Sequence, residues 1–157
     1  MAKDIQIVGF RIGREDFGIP IASVHEIVRM MEVTQVPDAP RYIEGVINLR
    51  GRIIPVIDLR KRFREAEIVR NKKNRIMVAE VSGRQVGLVV DTASEVLRIP
   101  TDQIEAPPNV FGDSDINYVT GVGKMGDRLI ILVNLDRIMQ HGELKSLEGV
   151  LGTAGAA

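Results

Sequence analysis

His25 and His141 are the only histidines in the chain, so an imidazole base or metal ligand must come from one of them. A nucleophilic mechanism needs a hydroxyl or thiol held against such a base, and neither histidine has a Ser or Asp arranged around it in a recognisable motif. His25 is followed by Glu26, but neighbours on a strand point to opposite faces and do not converge on one ion. His141, in "MQHGELK", reads as a solvent-facing helix end. Gly121 to Asp127, "GVGKMGD", has the glycines and lysine of a phosphate loop without its four-residue spacing or its GK[ST] ending, and no helix of useful length follows. Asp91 and Glu95 could be paired as acid and base, although 21 acidic residues offer many such pairs. These residues give no positive support to catalysis, a bound cofactor or a metal.

A different chemistry is offered at Asn48, Leu49, Arg50 and Gly51, which interrupt the apolar run "GVINLRGRIIPVIDL" from Gly45 to Leu59. The interruption predicts a hairpin turn. Asn48 can adopt a left-handed backbone or cap its own turn, and Gly51 supplies a positive φ cheaply. Leu49 and Arg50 would then stand together at a rigid tip, an apolar side chain beside a planar cation, a pairing suited to gripping a partner. The alternative is an arginine that pairs with a nearby acid of its own chain.

The elements that position this turn occur twice. From Phe17 the chain runs "FGIPIASVHEIVRMMEVTQVPDAP" and "YIEGVINLRGRIIPVIDLRKRF"; from Val86 it runs "VGLVVDTASEVLRIPTDQIEAPPN" and "YVTGVGKMGDRLIILVNLDRIM". Gly18 answers Gly87 and Glu26 answers Glu95 at an offset of 69, the Val36-Pro37 neighbourhood answers Ala106-Pro107, and Gly45 answers Gly121 at an offset of 76. The added seven residues fall in "VFGDSDIN". The repeat halves span about residues 5–68 and 74–141, and residues 142–157 form a C-terminal tail ending in small residues.

Ile5 to Ile12, Arg75 to Val81, Gln85 to Val90 and Arg128 to Asn134 are short and rich in β-branched residues, which predicts strands. "GRED" at Gly13 and "SGRQ" at Ser82 suit hairpin turns. Asp58 and Asn134 can cap short helices in which Leu59 with Phe63 and Leu135 with Met139 have i, i+4 spacing. Each copy thus holds about five strands on some sixty residues, and such strands close into a small barrel that hides its edges. The expectation is an all-β fold of two barrels, one per copy, sharing a third core between their facing sides.

Composition narrows the function. Cysteine is absent, which excludes a thiol nucleophile, a thiolate metal site and disulfides, and suits a reducing cytoplasm. Lys plus Arg and Asp plus Glu balance at 21 each, and the six aromatics include no Trp, so nucleic acid is excluded as a partner class. Residues 41–75 nevertheless hold eleven Lys or Arg against four Asp or Glu, an excess of seven, part of it in "RNKKNR" from Arg70, which reads as a solvated linker. No window approaches the roughly 18 to 20 apolar residues of a membrane span. The chain reads as soluble and cytoplasmic, without direct membrane insertion.

The four segments "FGIPIASVHEIVR", "YIEGVINLRGRIIPVIDLRKRF", "VGLVVDTASEVLRI" and "GVGKMGDRLIILVNLDRIM", in this order over about residues 5–141, resemble the CheW family of bacterial chemotaxis coupling proteins. The resemblance implies two SH3-like five-stranded barrels about a common core. It also implies an adaptor without catalytic activity or cofactor, bridging the cytoplasmic tip of methyl-accepting chemoreceptors to the regulatory domain of the histidine kinase CheA within membrane-associated arrays. A receptor helix is expected in an aliphatic groove at Val24, Ile27 and Val28. Glu26 matches the family's acid before isoleucine and Arg50 its "NLRG" arginine, both linked with partner binding, or pairing with one another across the junction. Asn48, Leu49 and Gly51 complete that functional turn. The kinase domain is expected to meet the second barrel at Val96, Leu97, Lys124, Met125 and Arg128. Two rivals are an adaptor of a non-flagellar chemosensory pathway and a small-molecule-binding double barrel. The second requires convergent polar groups on the groove wall where an adaptor requires aliphatic ones.

Overall fold

The computed structural model describes residues 3–40, 43–62, 72–106 and 118–138. In chain order the elements are β1 (Asp4–Ile12), β2 (Glu15–Pro20), β3 (Val24–Arg29), β4 (Ile43–Leu49), β5 (Arg52–Asp58), α1 (Leu59–Arg62), β6 (Arg75–Val81), β7 (Arg84–Val90), β8 (Thr92–Pro100), β9 (Ile104–Glu105), β10 (Val119–Met125), β11 (Arg128–Val133) and α2 (Leu135–Ile138). The four strands expected from β-branched runs are present as β1, β6, β7 and β11, and tight turns fall within the "GRED" and "SGRQ" tetrads. Both predicted caps are made: the Arg60 amide donates to Asp58 Oδ1 and the Asp136 amide to Asn134 Oδ1, each at 2.9 Å. Phe63, Met139, His141, residues 110–117 and the tail lie outside the described residues.

The strands form two sheets. One has the order β3-β6-β7-β5-β4 and the other β8-β1-β2-β11-β10-β9. Under the sequence repeat β1 corresponds to β6, β2 to β7, β3 to β8, β4 to β10 and β5 to β11, so the two orders are the same apart from β9 at one edge. Each sheet, however, draws strands from both copies. The β6-β7 hairpin of the second copy pairs with β3 and, in parallel, with β5 of the first, while the β1-β2 hairpin of the first pairs with β8 and, in parallel, with β11 of the second. The expectation that each copy closes its own barrel is corrected here. After β2 a single 3-10 turn (Ile21–Ser23), and after β7 Asp91 alone, carries the chain into the other sheet.

Both sheets are rolled. A flat five-stranded sheet would hold its outer strands roughly 19 Å apart, at about 4.8 Å per step. Yet Val28 of β3 packs with Ile47 and Leu49 of β4, its opposite edge, around Ile54, Val56, Ile76, Val78 and Val89. In the other sheet, Ile99 of β8 lies so close to Gly123 of β10 that an added Cβ would come within 2.9 Å of it, and Ile7, Ile99, Ile130 and Leu132 fill the interior. Among the described residues no backbone ladder joins these edges; side chains close the roll.

The third core expected between the units is present and is the largest. Val8, Phe10 and Phe17 from one sheet meet Met77, Ala79 and Leu88 from the other, and the Phe10 and Phe17 rings stack with centroids 5.7 Å apart. Strand alternation separates the cores: Ile7 points into its own sheet and Val8 into the shared layer, Ile76 and Val78 inward and Met77 and Ala79 across. Gly45, at φ 143°, fixes one further point. Thr34 and Val46 exchange two backbone hydrogen bonds of 2.9 Å, and a Cβ on Gly45 would overlap the Thr34 carbonyl.

Ile54, 2 % exposed within the interior of the first sheet, provides a test of this assignment. Ile54→Ala is expected to lower unfolding free energy by about 2 to 5 kcal/mol in a denaturant titration. A shift under about 0.5 kcal/mol, the range of a surface substitution, would contradict it.

Candidate docking surface

Leu49 pairs with Arg52 across a two-residue turn in which Arg50 (φ 52°) and Gly51 (φ 86°) both have positive φ. That backbone suits the right-handed twist of the flanking strands, and Asn, Asp or Gly is its usual first residue. An arginine there is held at a cost of about 1 kcal/mol or more. Asn48 takes the capping role of the two open to it, its Oδ1 accepting the Gly51 amide at 2.9 Å. Leu49 departs from expectation: it is 4 % exposed and belongs to the first sheet's interior. As the last residue of β4 it points inward, so Arg50 alone is raised at the tip.

The Arg50 guanidinium donates to the Glu26 carboxylate of β3. Both side chains reach water, Arg50 being 64 % exposed and Glu26 27 %. The pair joins β3 to the far edge of its sheet, so the two charges expected to contact partners are paired with one another. Beside it, Val24, Ile27 and Val28 do not form one lining. A bulge between Val24 and Glu26 resets the alternation. Val24 and Ile27 are half-buried against the shared core, whereas Val28 packs inside the sheet.

The residues expected together on the second unit are also divided. Val96 is directly opposite Val8, so it faces the shared core, at whose margin it is 59 % exposed. It is the repeat counterpart of Ile27, which is opposite Met77 of the same core. Leu97 and Met125 pack against the second interior. Lys124 and Arg128 stand at the β10-β11 hairpin: Lys124 Nζ is 2.6 Å from Glu105 Oε1, and Arg128 Nη2 is 3.5 Å from Asp16 Oδ1. Leu97 and Arg128 nevertheless line one concavity, with Arg11 and Asp16. His25 is exposed on β3, and among the described residues no three His, Cys, Asp or Glu side chains cluster so as to hold a metal.

Two sets of residues escaped the sequence reading. Ile53 and Leu129, repeat counterparts just after the two hairpin turns, are 46 % and 59 % exposed. The runs "IIPVI" from Ile53 and "LIILV" from Leu129 are apolar throughout, so alternation could not say which members face outward. The second set is a buried ionic network. Arg60 is 4 % exposed; its Nε and Nη2 donate to the two oxygens of Asp58, both at 3.0 Å, and its Nη1 donates to Asp91 Oδ1 at 3.2 Å and Asn74 Oδ1 at 3.4 Å. Burial works against the charge, but the hydrogen bonds and charge of Asp58, then of Asp91, outweigh it and raise the Arg60 pKa above its ordinary value. The cation therefore persists throughout the neutral range. A readable signal existed: "DLR" at Asp58 stands where the second copy has "NLD".

Residues 6–143 match the CheW-like domain family. The chain is 36 % identical over 141 residues to the chemotaxis protein CheW of Klebsiella aerogenes, covering 90 % of this chain and 85 % of that protein. It is 31 % identical to Protein FrzA of Myxococcus xanthus, covering 88 % of this chain and 87 % of that one. The crystal structure of the scaffolding protein TtCheW from Thermoanaerobacter tengcongensis superposes with a TM-score of 0.81 at 39 % identity, covering 90 % of this chain and 96 % of that one.

Stability measurements separate the two ionic features. Arg60→Ala leaves Asp58 buried without its cation and is expected to cost about 3 to 5 kcal/mol. Arg50→Asn breaks only an exposed pair, worth at most about 1 kcal/mol, and places a residue suited to positive φ in the turn. Its unfolding midpoint is expected to match or exceed that of the parent. Equal losses in the two variants would refute the distinction.

Proposed function

The chain belongs to the family of CheW-like domains, and from that membership we propose that this chemotaxis adaptor holds the regulatory domain of a histidine kinase CheA and the cytoplasmic tip of a methyl-accepting chemoreceptor at once. Its work is binding rather than turnover, carried out in the cytoplasm at receptor arrays reached through protein contacts. Among the described residues no helix is long and apolar enough to cross a membrane.

The observation that carries this reading is the aliphatic margin of the shared core. Val24 and Ile27 on one sheet and Val96 on the other offer apolar side chains at the junction, which suits the apolar face of a receptor helix laid along it. A metabolite site would need converging polar groups there. Arg50 and Glu26 lie on the same sheet as Val24 and Ile27, and a partner there can engage charges already ordered by each other. Lys124 with exposed Leu129 opposite it, and Arg128 with the concavity containing Leu97, are the surfaces proposed for the kinase domain. Ile53, the counterpart of Leu129 on the first sheet, gives the molecule a second end of similar chemistry. Interfaces of about 1,000 Å² bind transiently one at a time, and array geometry supplies avidity through high effective concentration.

A second reading, an adaptor of another chemosensory pathway, is favoured by the similarity to Protein FrzA. The two readings share the same docking chemistry and differ in the receptor.

Mixing the purified chain with a CheA regulatory domain and with a receptor hairpin fragment is expected to give two binary complexes and one ternary complex by light scattering. Absence of both binary complexes at high concentration would reject the adaptor. Where docking desolvates the charges, Arg50→Asn and Glu26→Ala are each expected to weaken one partner contact by about 2 to 5 kcal/mol, and by much less at a rim, with the fold intact by circular dichroism. Unchanged titrations with both partners would remove the pair from the site.

A further inference from the structure

Two equivalent places on the facing sides of the sheets hold unlike charge. Gln6 of β1 and Arg98 of β8 stand directly opposite each other, and so do their repeat counterparts, Arg75 of β6 and Arg29 of β3. At the first place the pair is matched. With its amide oxygen turned toward the guanidinium, Gln6 accepts from Arg98 Nη2 at 3.2 Å and from Nε at 3.3 Å, and Asp4 lines the same concavity. At the second place two arginines face one another, and Lys73 stands at the position equivalent to Asp4. An anion, an amide and a cation thus correspond to three cations.

Like charges directly opposite on adjacent strands are destabilising. Among the described residues exposed Arg29 has no hydrogen bond or ion pair. Half-buried Arg75 uses only Nη1, which donates to the Lys72 and Asn74 carbonyls at 2.8 and 2.9 Å. The remaining donors of both guanidinium groups are open to a ligand. A carboxylate has two oxygens that such planar forks can grip, and it would cancel the repulsion as it bound. The neighbouring residues indicate whose carboxylate it is. Ile27 and Arg29 lie two apart on β3 and share the face that packs toward the layer between sheets, about 6.7 Å apart along the strand. A helix advances about 6 Å in four residues. A receptor helix laid along β3 with an apolar side chain on Ile27 therefore brings the side chain four positions away to the two arginines.

We propose that Arg29 and Arg75 together bind one acidic side chain of the docked receptor helix and so set the direction in which that helix lies. The assignment rests on the helix docking proposed at Val24 and Ile27, and it adds what a receptor must carry to fit: an acid one turn from an apolar anchor. Reversed, the same helix would carry its acid away from the arginines and leave them unpaired. The Gln6-Arg98 place is a poorer anion site, because its one guanidinium already has an acceptor.

In the full-length chain, Arg29→Gln sets an acceptor opposite Arg75 as Gln6 is set opposite Arg98. It is expected to raise the melting midpoint at low ionic strength, with the gain shrinking as sodium chloride screens the parent's two charges. Titrated with the receptor hairpin fragment, the same variant is expected to bind about tenfold more weakly than the parent, the loss of one charge-assisted contact. Arg98→Gln, which removes the same net charge, is expected to shift affinity by less than about twofold. Among fragments with single acids of the tip replaced by lysine, one is expected to lose affinity for the parent and regain it with Arg29→Glu/Arg75→Glu. Failure of the parent to bind the fragment would sink the docking reading and the arginine site with it. Binding by the parent that Arg29→Gln leaves unchanged, equal losses in Arg29→Gln and Arg98→Gln, or a midpoint for Arg29→Gln no higher than the parent's at low salt would overturn the arginine site alone.

Discussion

Strands β1, β6 and β7 bury both of their faces, and the rest of the molecule follows from that constraint. One face of each fills the interior of a rolled sheet and the other fills the layer between sheets. A strand placed in this way must be apolar on successive residues, as "RIMVAEV" and "RQVGLVV" are, and its backbone must be paired on both edges. The pairing is completed only by strands of the other copy. Hydrophobic burial and backbone satisfaction therefore act on the same residues, and neither can be met while the two halves are apart. The shared layer is what makes one cooperative body of two small sheets, each with too little core to stand alone.

Much of this was readable because the physics is local. β-Branched runs between glycine turns specify β1, β6, β7 and β11, and an Asx residue before a short amphipathic stretch specifies each terminal helix. The doubled pattern also made a third core predictable, since two half-size units have facing apolar sides left over. The exchange of hairpins was not readable. A repeat records which segments are alike, while the choice of pairing partner depends on the link between β2 and β3, and nothing in "PIAS" announces a crossing to another sheet.

The candidate site divides along the same line. Asn48 and Gly51 have the side chains that a tight turn asks for, and they do what turn chemistry predicts. Leu49 looked like a tip residue because strand ends cannot be placed to within one position from sequence, and one position reverses the face. Arg50 occupies a left-handed conformation that its residue type does not advertise. Arg60 was marked only by the contrast of "DLR" with "NLD" in the second copy; its burial was not, because its partners Asn74 and Asp91 are distant in sequence. Equivalent chain positions have also diverged in use, with an exposed acid at 136 where the first copy buries a base.

Hairpin exchange constrains how the chain can be made. During synthesis the first copy emerges with β3, β4 and β5 ready but lacking the two central strands of their sheet, which come some twenty residues later. Meanwhile β1 and β2, the earliest strands, must wait for β11, more than a hundred residues behind them, before their sheet is complete. Contacts of such long sequence separation fold slowly, and a nascent chain in this interval exposes unpaired strand edges. The five-stranded sheet can form only once β7 has been made, and the other only once β11 has, so a ribosome stalled between the copies would release no folded half.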